Sequence, residues 1–139
     1  MISLILVLID QIVKYYISKH YLLGVSSAII PGFFNITYAE NTGAAFSLLS
    51  GNTYLIVIVS FILLFILYKY IFKGDKYDFV KMLIIGGIIS NLIDRVFRGY
   101  VIDYFDFNIF GYSFPIFNIA DICIVVGAIL FIFKTIDEK

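Results

Sequence analysis

Two aspartates in this 139-residue sequence could carry acid/base chemistry. Asp103 lies in the segment GYVIDYF, and Asp121 lies in FNIAD, three residues after Asn118. Each has apolar neighbours and no adjacent Lys or Arg. If the fold brings them together, repulsion and poor solvation would make them share one proton, as acid/base catalysis requires. From spacing alone, a catalytic pair, a proton relay and a pair of structural acceptors all remain open.

A second set of polar residues interrupts apolar segments. Asp10 and Lys14 are four residues apart, so they share one helical face, and an ion pair that orients this helix is favoured over direct chemistry. Asn91, Asp94 and Arg95 follow the same logic at spacings of three and four. Arg95 is expected to pair with Asp94 or a loop carboxylate, or to hold backbone carbonyls near the membrane surface.

The sequence lacks the residues that a zinc site or an intrachain disulfide would need. His20 is the single histidine and Cys123 the single cysteine, so no zinc cluster or intrachain disulfide is predicted, and no cofactor is expected. Cys123 lies in an apolar run, where a small buried residue is the simpler interpretation.

Composition limits the protein class. Hydrophobic residues make up 62% of the chain and charged residues 14%, far below the roughly 25% charged residues of soluble domains. A water-soluble globule is therefore excluded. The net charge of zero gives no electrostatic footprint for nucleic acid. A single integral-membrane domain covering residues 1–139 is predicted.

Four segments are apolar enough to cross a bilayer, which needs about 20 such residues. The predicted transmembrane helices are 1–18, 51–72, 79–97 and 116–134. The first could be a signal peptide, because small residues follow at 24–28. A retained helix is favoured, since no basic residue precedes it and two charged residues lie inside it.

Basic residues predict the orientation. Six lie around the 73–78 connection and in the C-terminal tail, and three lie near the other connections, so both termini are predicted to be cytoplasmic. The outward loops are then about 19–50 and 98–115, rich in aromatic residues and expected to lie on the membrane surface. Alternation at 34–38 and strand formers at 100–107 predict strands in these loops.

Five blocks in order, IDQIVK, NTGAAFS, GGIISNLIDR, GYVIDYF and FNIAD, resemble lipoprotein signal peptidase, also called signal peptidase II. The resemblance runs from Asp10 to about Ala128. It implies an aspartyl endopeptidase of the bacterial cytoplasmic membrane, with four transmembrane helices, an outward β-cradle, a short interfacial amphipathic element and an active site at the outer face. The implied substrate is a prolipoprotein, cut on the amino side of a diacylglyceryl-modified cysteine. The protein is also expected to be a monomer in contact with membrane lipid.

The resemblance also implies residue roles. Asp103 and Asp121 match the catalytic aspartates, which would activate a water molecule between them. Positions near the substrate match Asn41, Gly43, Asn91, Arg95 and Asn118, and positions that support the fold or site match Asp10, Lys14 and Asp94. Departures are Ser90, where the family commonly has glycine, and Phe114, where tryptophan is frequent.

Two further expectations concern the outward loop and a rival function. Loop 21–50 is expected to cover the site, with the uncharged stretch 43–46 allowing close approach of peptide and lipid. The buried charges could instead form a proton-coupled path in a small transporter, or part of a non-catalytic assembly module. A transporter fits poorly, because four helices without inverted repeats are too few.

Overall fold

The computed structural model describes residues 1–43, 52–71 and 78–136. Four long helices carry a four-stranded antiparallel sheet, assembled from the connections between the first and second helices and between the third and fourth. The second half of the NTGAAFS block and the cytoplasmic connection predicted at 73–78 lie outside the described residues, apart from Asp78.

The helices match the predicted segments to within a few residues. They are α1 (Ile2–His20), α2 (Thr53–Ile66), α3 (Asp78–Arg98) and α4 (Ile119–Ile136), with a wider π-helical turn, Leu67–Ile71, continuing α2. Among the described residues, one helix, α4, is long and apolar enough to cross a membrane, and α2 forms part of a shorter apolar helix. The count of four spans therefore stays a prediction.

Two of the four strands lie where alternation at 34–38 and strand formers at 100–107 predicted them, and the other two, which were not predicted, pair with these. The strands are β1 (Ser26–Ile30), β2 (Phe34–Asn41), β3 (Val101–Ile109) and β4 (Tyr112–Ser113), in that spatial order. Strand β2 pairs with β3 so that Ala39 lies opposite Asp103 and Asn41 opposite Val101. A bulge between Ile36 and Ala39 shifts this register. This pairing places Asp103 next to the end of β2.

Close helix packing depends on glycine. A Cβ atom at Gly87 of α3 would lie 2.5 Å from the carbonyl oxygen of Ala120 in α4, which is too short for any side chain. At Gly86, the next residue back along α3, a Cβ would lie 3.2 Å from the carbonyl oxygen of Ser3 in α1. Helix α3 is therefore held tightly between α1 and α4, as small residues allow in membrane helices.

The outer faces of all four helices expose large apolar side chains. Half or more of the side-chain surface is exposed at Leu8, Ile12, Phe61, Phe65, Phe97, Val125 and Phe133. Of the residues in α2, Ile56 alone is buried. Apolar exposure on this scale is unfavourable in water and indicates contact with lipid or another apolar surface.

The implied short amphipathic element has no counterpart among the described parts of the outward connections, which contain no separate short helix. Residues 44–51 are outside the described residues, so this element stays a prediction.

Candidate active site

Asp103 and Asp121 line one cavity, although they come from different elements. Asp103 is the third residue of β3, and Asp121 lies in the first turn of α4. The cavity has a volume of about 600 Å³ and also borders Asn41, Asn91 and Arg95. The fold thus brings together two carboxylates that are 18 positions apart in the sequence.

Amide groups hold both oxygens of the Asp103 carboxyl group. Its Oδ2 accepts a hydrogen bond from Asn41 Nδ2 at 2.9 Å, and its Oδ1 accepts one from Asn118 Nδ2 at 2.7 Å. The side chain is only 2% exposed. Strand pairing places Asn41 here, since it ends β2 two residues beyond the position opposite Asp103.

Asp121 is held by the start of its own helix and by α3. Asn118 precedes α4 and its Oδ1 accepts the backbone N–H of Asp121 at 2.9 Å, while Asp121 Oδ2 accepts the backbone N–H of Asn118 at 3.3 Å. This reciprocal pair is a capping box, which satisfies N–H groups that a helix start leaves unpaired. The other oxygen, Asp121 Oδ1, accepts Asn91 Nδ2 at 2.8 Å.

Each of the three asparagines has its orientation fixed by a second bond. The side-chain oxygen of Asn41 accepts the N–H of Gly43, and that of Asn118 accepts the N–H of Asp121, both at 2.9 Å. Because these oxygens face donors, the NH₂ groups must face acceptors. Both amides therefore present donors to the Asp103 carboxyl group.

Lys14 fixes the third asparagine in the same way. Its Nζ lies 2.9 Å from Asn91 Oδ1 and can only donate, so the NH₂ group of Asn91 is directed to Asp121. Lys14 is thus connected to the site through one amide.

Within the described part of the chain, no lysine or arginine forms a salt bridge with Asp103 or Asp121. Burial, and then repulsion from Asp121, raises the pKa of the Asp103 carboxyl to about 7, against the lowering effects of its amide hydrogen bonds and of the Lys14 charge. Two carboxylates with these surroundings can hold one proton between them at neutral pH.

Arg95 binds a backbone carbonyl group, which was one of the alternatives predicted for its guanidinium group. Its Nη2 donates to the carbonyl oxygen of Gly43 at 2.9 Å, which joins α3 to the segment that follows β2. The alternative of pairing with Asp94 is wrong, because adjacent residues of a helix point in different directions. Arg98, four residues after Asp94, makes that ion pair instead.

The remaining predicted residues, Asp10, Lys14 and Asp94, are buried and form an ionic cluster, and the partly exposed Arg98 joins it at its edge. Lys14 Nζ lies 2.7 Å from Asp10 Oδ2 and 2.8 Å from Asp94 Oδ2, and Asp94 also pairs with Arg98. The predicted Asp10–Lys14 ion pair is confirmed. This cluster joins α1 to α3.

Four members of this cluster were not predicted. Gln11 Nε2 donates to Asp94 at 3.0 Å, Ser90 Oγ donates to Asp10 at 2.6 Å, and Tyr104 hydroxyl donates to Asp10 at 3.4 Å. The fourth is Arg98. A signal existed for Ser90 and Arg98, because each lies four residues from Asp94 along α3. Gln11 and Tyr104 carried no such spacing signal.

No three His, Cys, Asp or Glu side chains among residues 1–43, 52–71 and 78–136 are grouped so that they could hold a metal ion. Cys123 is a buried free thiol, as its apolar surroundings predicted.

Comparison with known proteins identifies the family. The sequence model of the signal peptidase (SPase) II family matches residues 2–137. This chain belongs to the signal peptidase II family. The resemblance carried by the five sequence blocks is thereby confirmed.

Relatives and solved structures agree with this membership. A lipoprotein signal peptidase of Staphylococcus aureus strain MRSA252 is 40% identical over 99% of this chain and 87% of its own, and that of strain JH9 is 39% identical over the same shares. A bacterial membrane enzyme structure obtained in meso at 2.3 Å resolution has a TM-score of 0.89 and 39% identity, covering 99% of this chain and 86% of the other. A second, at 1.9 Å resolution, has a TM-score of 0.85 and 39% identity, with coverages of 99% and 92%.

In this signal peptidase II family member, the cavity has a polar end and an apolar arm. The two aspartates and three amide or guanidinium side chains form the polar end. The arm extends between α2 and α4 and is lined by Ile56, Val59, Leu63, Ile122, Val125 and Val126. A ligand with a polar backbone and an apolar chain would match both parts.

Proposed function

We propose that this chain is an aspartyl endopeptidase of the bacterial cytoplasmic membrane, which removes signal peptides from prolipoproteins. It cuts on the amino side of the diacylglyceryl-modified cysteine. One observation carries the proposal: Asp103 and Asp121 line the same cavity with no cationic partner among the described residues, and amide groups hold both oxygens of each.

The reaction uses water as the nucleophile. Asp121 is only partly buried, and in this proposal it is the ionised base that removes a proton from water. The water oxygen then bonds to the scissile carbonyl carbon, while Asp103, which carries the shared proton, donates it to the carbonyl oxygen. As the C–N bond breaks, the proton taken by Asp121 passes to the leaving amine, and one hydroxyl group of the tetrahedral intermediate returns its proton to Asp103. The raised pKa of Asp103 supports its role as the acid.

Amides suit this chemistry better than cations would. An amide N–H orients a carboxyl group without holding it permanently ionised, whereas a nearby lysine would lower its pKa. Asn41 and Asn118 therefore aim the Asp103 carboxyl and still allow it to keep a proton.

The apolar arm supports a lipid-modified substrate. Its α2 and α4 walls would receive the acyl chains of the modified cysteine from the bilayer while the peptide lies beside the aspartates. Arg95 Nε is buried and has no acceptor among the described residues. We assign this donor to a substrate backbone carbonyl. Loop 21–50 would cover the peptide, although its last part is outside the described residues.

The proposed topology follows from the sheet. Strand β2 follows α1 and precedes α2, whereas β3 lies between α3 and α4, and the two strands are paired. Both connections therefore lie at one end of the bundle, and the chain termini lie at the other. With the distribution of basic residues, this supports an outward sheet, an outward active site and cytoplasmic termini.

The test is cleavage of a purified diacylglyceryl-modified prolipoprotein in lipid nanodiscs, with the products identified by mass. Asp103→Asn and Asp121→Asn should each reduce turnover by about 10³-fold, within the range for lost acid/base catalysis. Asp106→Asn is the matched control, because Asp106 lies on the same strand but bonds to Thr37 and Ser26. A folded Asp103→Asn chain that cuts at the wild-type rate would reject the proposal.

The transporter alternative gains no support from the buried charges. Lys14 is fully buried and already contacts three acceptors, Asp10, Asp94 and Asn91. These three acceptors match the three N–H donors of the ammonium group.

A further inference from the structure

Two turns at one end of the sheet expose apolar side chains together. The β1–β2 turn and the β3–β4 turn are neighbours, because Phe34 pairs with Phe107 and the N–H of Asn108 donates to the carbonyl oxygen of Phe33 at 2.8 Å. We call the exposed side chains of these turns the hairpin tip. Its members are Ile29, Ile30, Phe33, Ile109, Phe110 and Tyr112.

The hairpin tip is strongly exposed and lacks charge. Phe110 is fully exposed, Tyr112 is 65% exposed, and the other four members are 42% to 55% exposed. The surrounding sequence has no charged residue at 25–39 or 107–120. In water, so large a cluster of aromatic and β-branched side chains would favour aggregation.

The turn itself does not require an aromatic residue. Phe110 has a φ of 51° and is followed by Gly111 at 83°, so both adopt the left-handed conformation. That conformation costs a residue with a side chain about 1–2 kcal/mol, and Asn or Gly would adopt it more easily. Asn108 already stabilises the turn by accepting the N–H of Gly111 at 3.0 Å. The exposed ring at 110 is therefore unfavourable both for the turn and in water.

We propose that the hairpin tip inserts into the interfacial layer of the outer leaflet of the phospholipid bilayer and anchors the sheet there. This inference rests on the outward topology given under the proposed function. An aromatic and aliphatic tip with one hydroxyl group suits lipid, because Tyr places its ring among acyl chains and its hydroxyl among headgroups. A protein partner would favour charged groups at the rim, and the sequence has none at 25–39 or 107–120.

Continuity with the apolar arm of the cavity supports lipid as the occupant. The chain passes from Tyr112 directly to Phe114 and Phe117, which line the same cavity as Ile122 and Val125 of α4. Val125 is 55% exposed and Ile122 41% exposed. An apolar surface therefore runs from the tip to the helix that is long and apolar enough to span the membrane.

Anchoring would hold the active site at one depth. Asp103 lies on the strand that leads to the tip, and Asp121 lies at the start of the helix that returns from it. A tip fixed at the interface would keep both at the level of a cysteine whose acyl chains are in the bilayer.

The test uses the absence of tryptophan from the sequence. Phe110→Trp gives a single fluorescent reporter, which is placed with the full chain in phosphatidylcholine–phosphatidylglycerol vesicles containing lipids brominated near the headgroup or deep in the chain. We expect a blue-shifted emission and at least twofold quenching by the shallow bromines. Phe33→Trp, on the adjoining turn, should respond in the same way. It serves as an independent reporter if the substitution at Phe110 disturbs its own turn.

Two matched reporters calibrate the result. Ser26→Trp lies at the other end of β1, is exposed and adjoins Asp106, so it should be quenched little. Phe61→Trp lies exposed on α2 and should be quenched best by deep bromines. Quenching of Phe110→Trp and Phe33→Trp no stronger than that of Ser26→Trp would overturn the proposal, including the case in which a protein partner covers the tip.

Cleavage measured on the same samples separates the two proposals. A Phe110→Trp chain that cleaves prolipoprotein normally but is not quenched overturns the anchor alone. The double variant Phe110→Trp, Asp103→Asn gives the opposite case. If its fluorescence is quenched, the anchor is supported, and if it also cleaves at the wild-type rate, the catalytic assignment is overturned.

Discussion

Four aspartates of this small protein, three of them buried and Asp121 partly buried, lie in two different surroundings. Asp10 and Asp94 lie in the ionic cluster, where Lys14 bridges them and Arg98 adds a second cation to Asp94. Asp103 and Asp121 border the cavity and are held by asparagine amides and one backbone N–H.

In the proposed function, this difference separates a structural from a reactive use of the same side chain. A buried carboxylate with a cation and several donors is stable in one ionisation state and serves to join elements. A buried carboxylate without a cation costs stability when ionised, and the pKa of Asp103, raised to about 7, allows this group to exchange protons near neutral pH. The two pairs of aspartates are connected through Lys14 and Asn91. Lys14 lies between Asp10 and Asp94 and donates to Asn91, whose NH₂ group donates to Asp121.

Removing the cation of the ionic cluster should have the largest effect on stability. Lys14→Met leaves Asp10 without its ion pair and Asp94 with Arg98 alone, and breaking a buried ion pair costs about 3–5 kcal/mol. Unfolding in mild detergent, followed by circular dichroism, measures the loss. Lys19→Met is the control, because Lys19 is exposed on the same helix and should change stability by less than about 0.5 kcal/mol. Equal losses for both variants would contradict the structural role of the cluster.

The asparagine that contacts both aspartates should mainly affect turnover. Asn118→Ala removes one hydrogen bond to Asp103 and the capping acceptor for Asp121. With hydrogen bonds to charged groups worth about 1.5–3 kcal/mol, we expect kcat to fall about 10²-fold. KM should change less, since the amide orients the acid rather than the substrate.

Asn35→Ala serves as the control for this substitution, because Asn35 donates to Asp106 on the sheet and not to either cavity aspartate. If it lowered kcat as much as Asn118→Ala, the amide contacts to the cavity aspartates would not be the cause.

The pH dependence follows from the Asp103 carboxyl. Its pKa is raised by burial and by Asp121 to about 7, so the folded chain retains a proton that the unfolded chain loses near pH 4. Its contribution to the free energy of unfolding is therefore complete below about pH 4, falls as the pH rises, and is lost above about pH 7. Turnover should decline about tenfold per pH unit above 7, because the acid has lost its proton.

Asp103→Asn tests the stability part of this prediction. Without the titrating group, the variant should gain stability relative to the wild type between pH 4 and pH 7, as measured by thermal unfolding across that range. A constant difference would show that Asp103 does not titrate there.

Ser90 should have the smallest effect of these changes. Ser90→Ala removes the 2.6 Å hydrogen bond to Asp10 but keeps both cations of the ionic cluster. We expect a loss of about 1.5 kcal/mol in the free energy of unfolding and unchanged kcat. Ser18→Ala is the control, since the Ser18 hydroxyl bonds only to a carbonyl of its own helix. A fall in kcat for Ser90→Ala would place this serine in the reaction.

Local patterns predicted what depends on local geometry. Apolar runs located the helices, period-two alternation located β2, and the four-residue spacing of Asp10 and Lys14 gave the ion pair. The N-x-x-D spacing of Asn118 and Asp121 likewise corresponds to the capping box at the start of α4.

Contacts between distant segments could not be predicted in this way. Ser90 and Asp10 are 80 positions apart, and only the packing of α1 on α3 brings them together. The orientation of the Asn91 amide depends on Lys14, from another helix. Family resemblance identified most of these residues but not the bonds that give each one its effect.

The most direct test compares Asp10→Asn with Asp103→Asn, each assayed for prolipoprotein cleavage under single-turnover conditions and for thermal unfolding in the same nanodiscs. Our account predicts opposite outcomes. Asp103→Asn should lose about 10³-fold in cleavage rate and unfold no earlier than the wild type at pH 7, whereas Asp10→Asn should unfold markedly earlier and, while folded, cut within about tenfold of the wild-type rate. If Asp103→Asn cuts normally, or if the two variants lose stability and activity together, the distinction between the two pairs of aspartates is wrong.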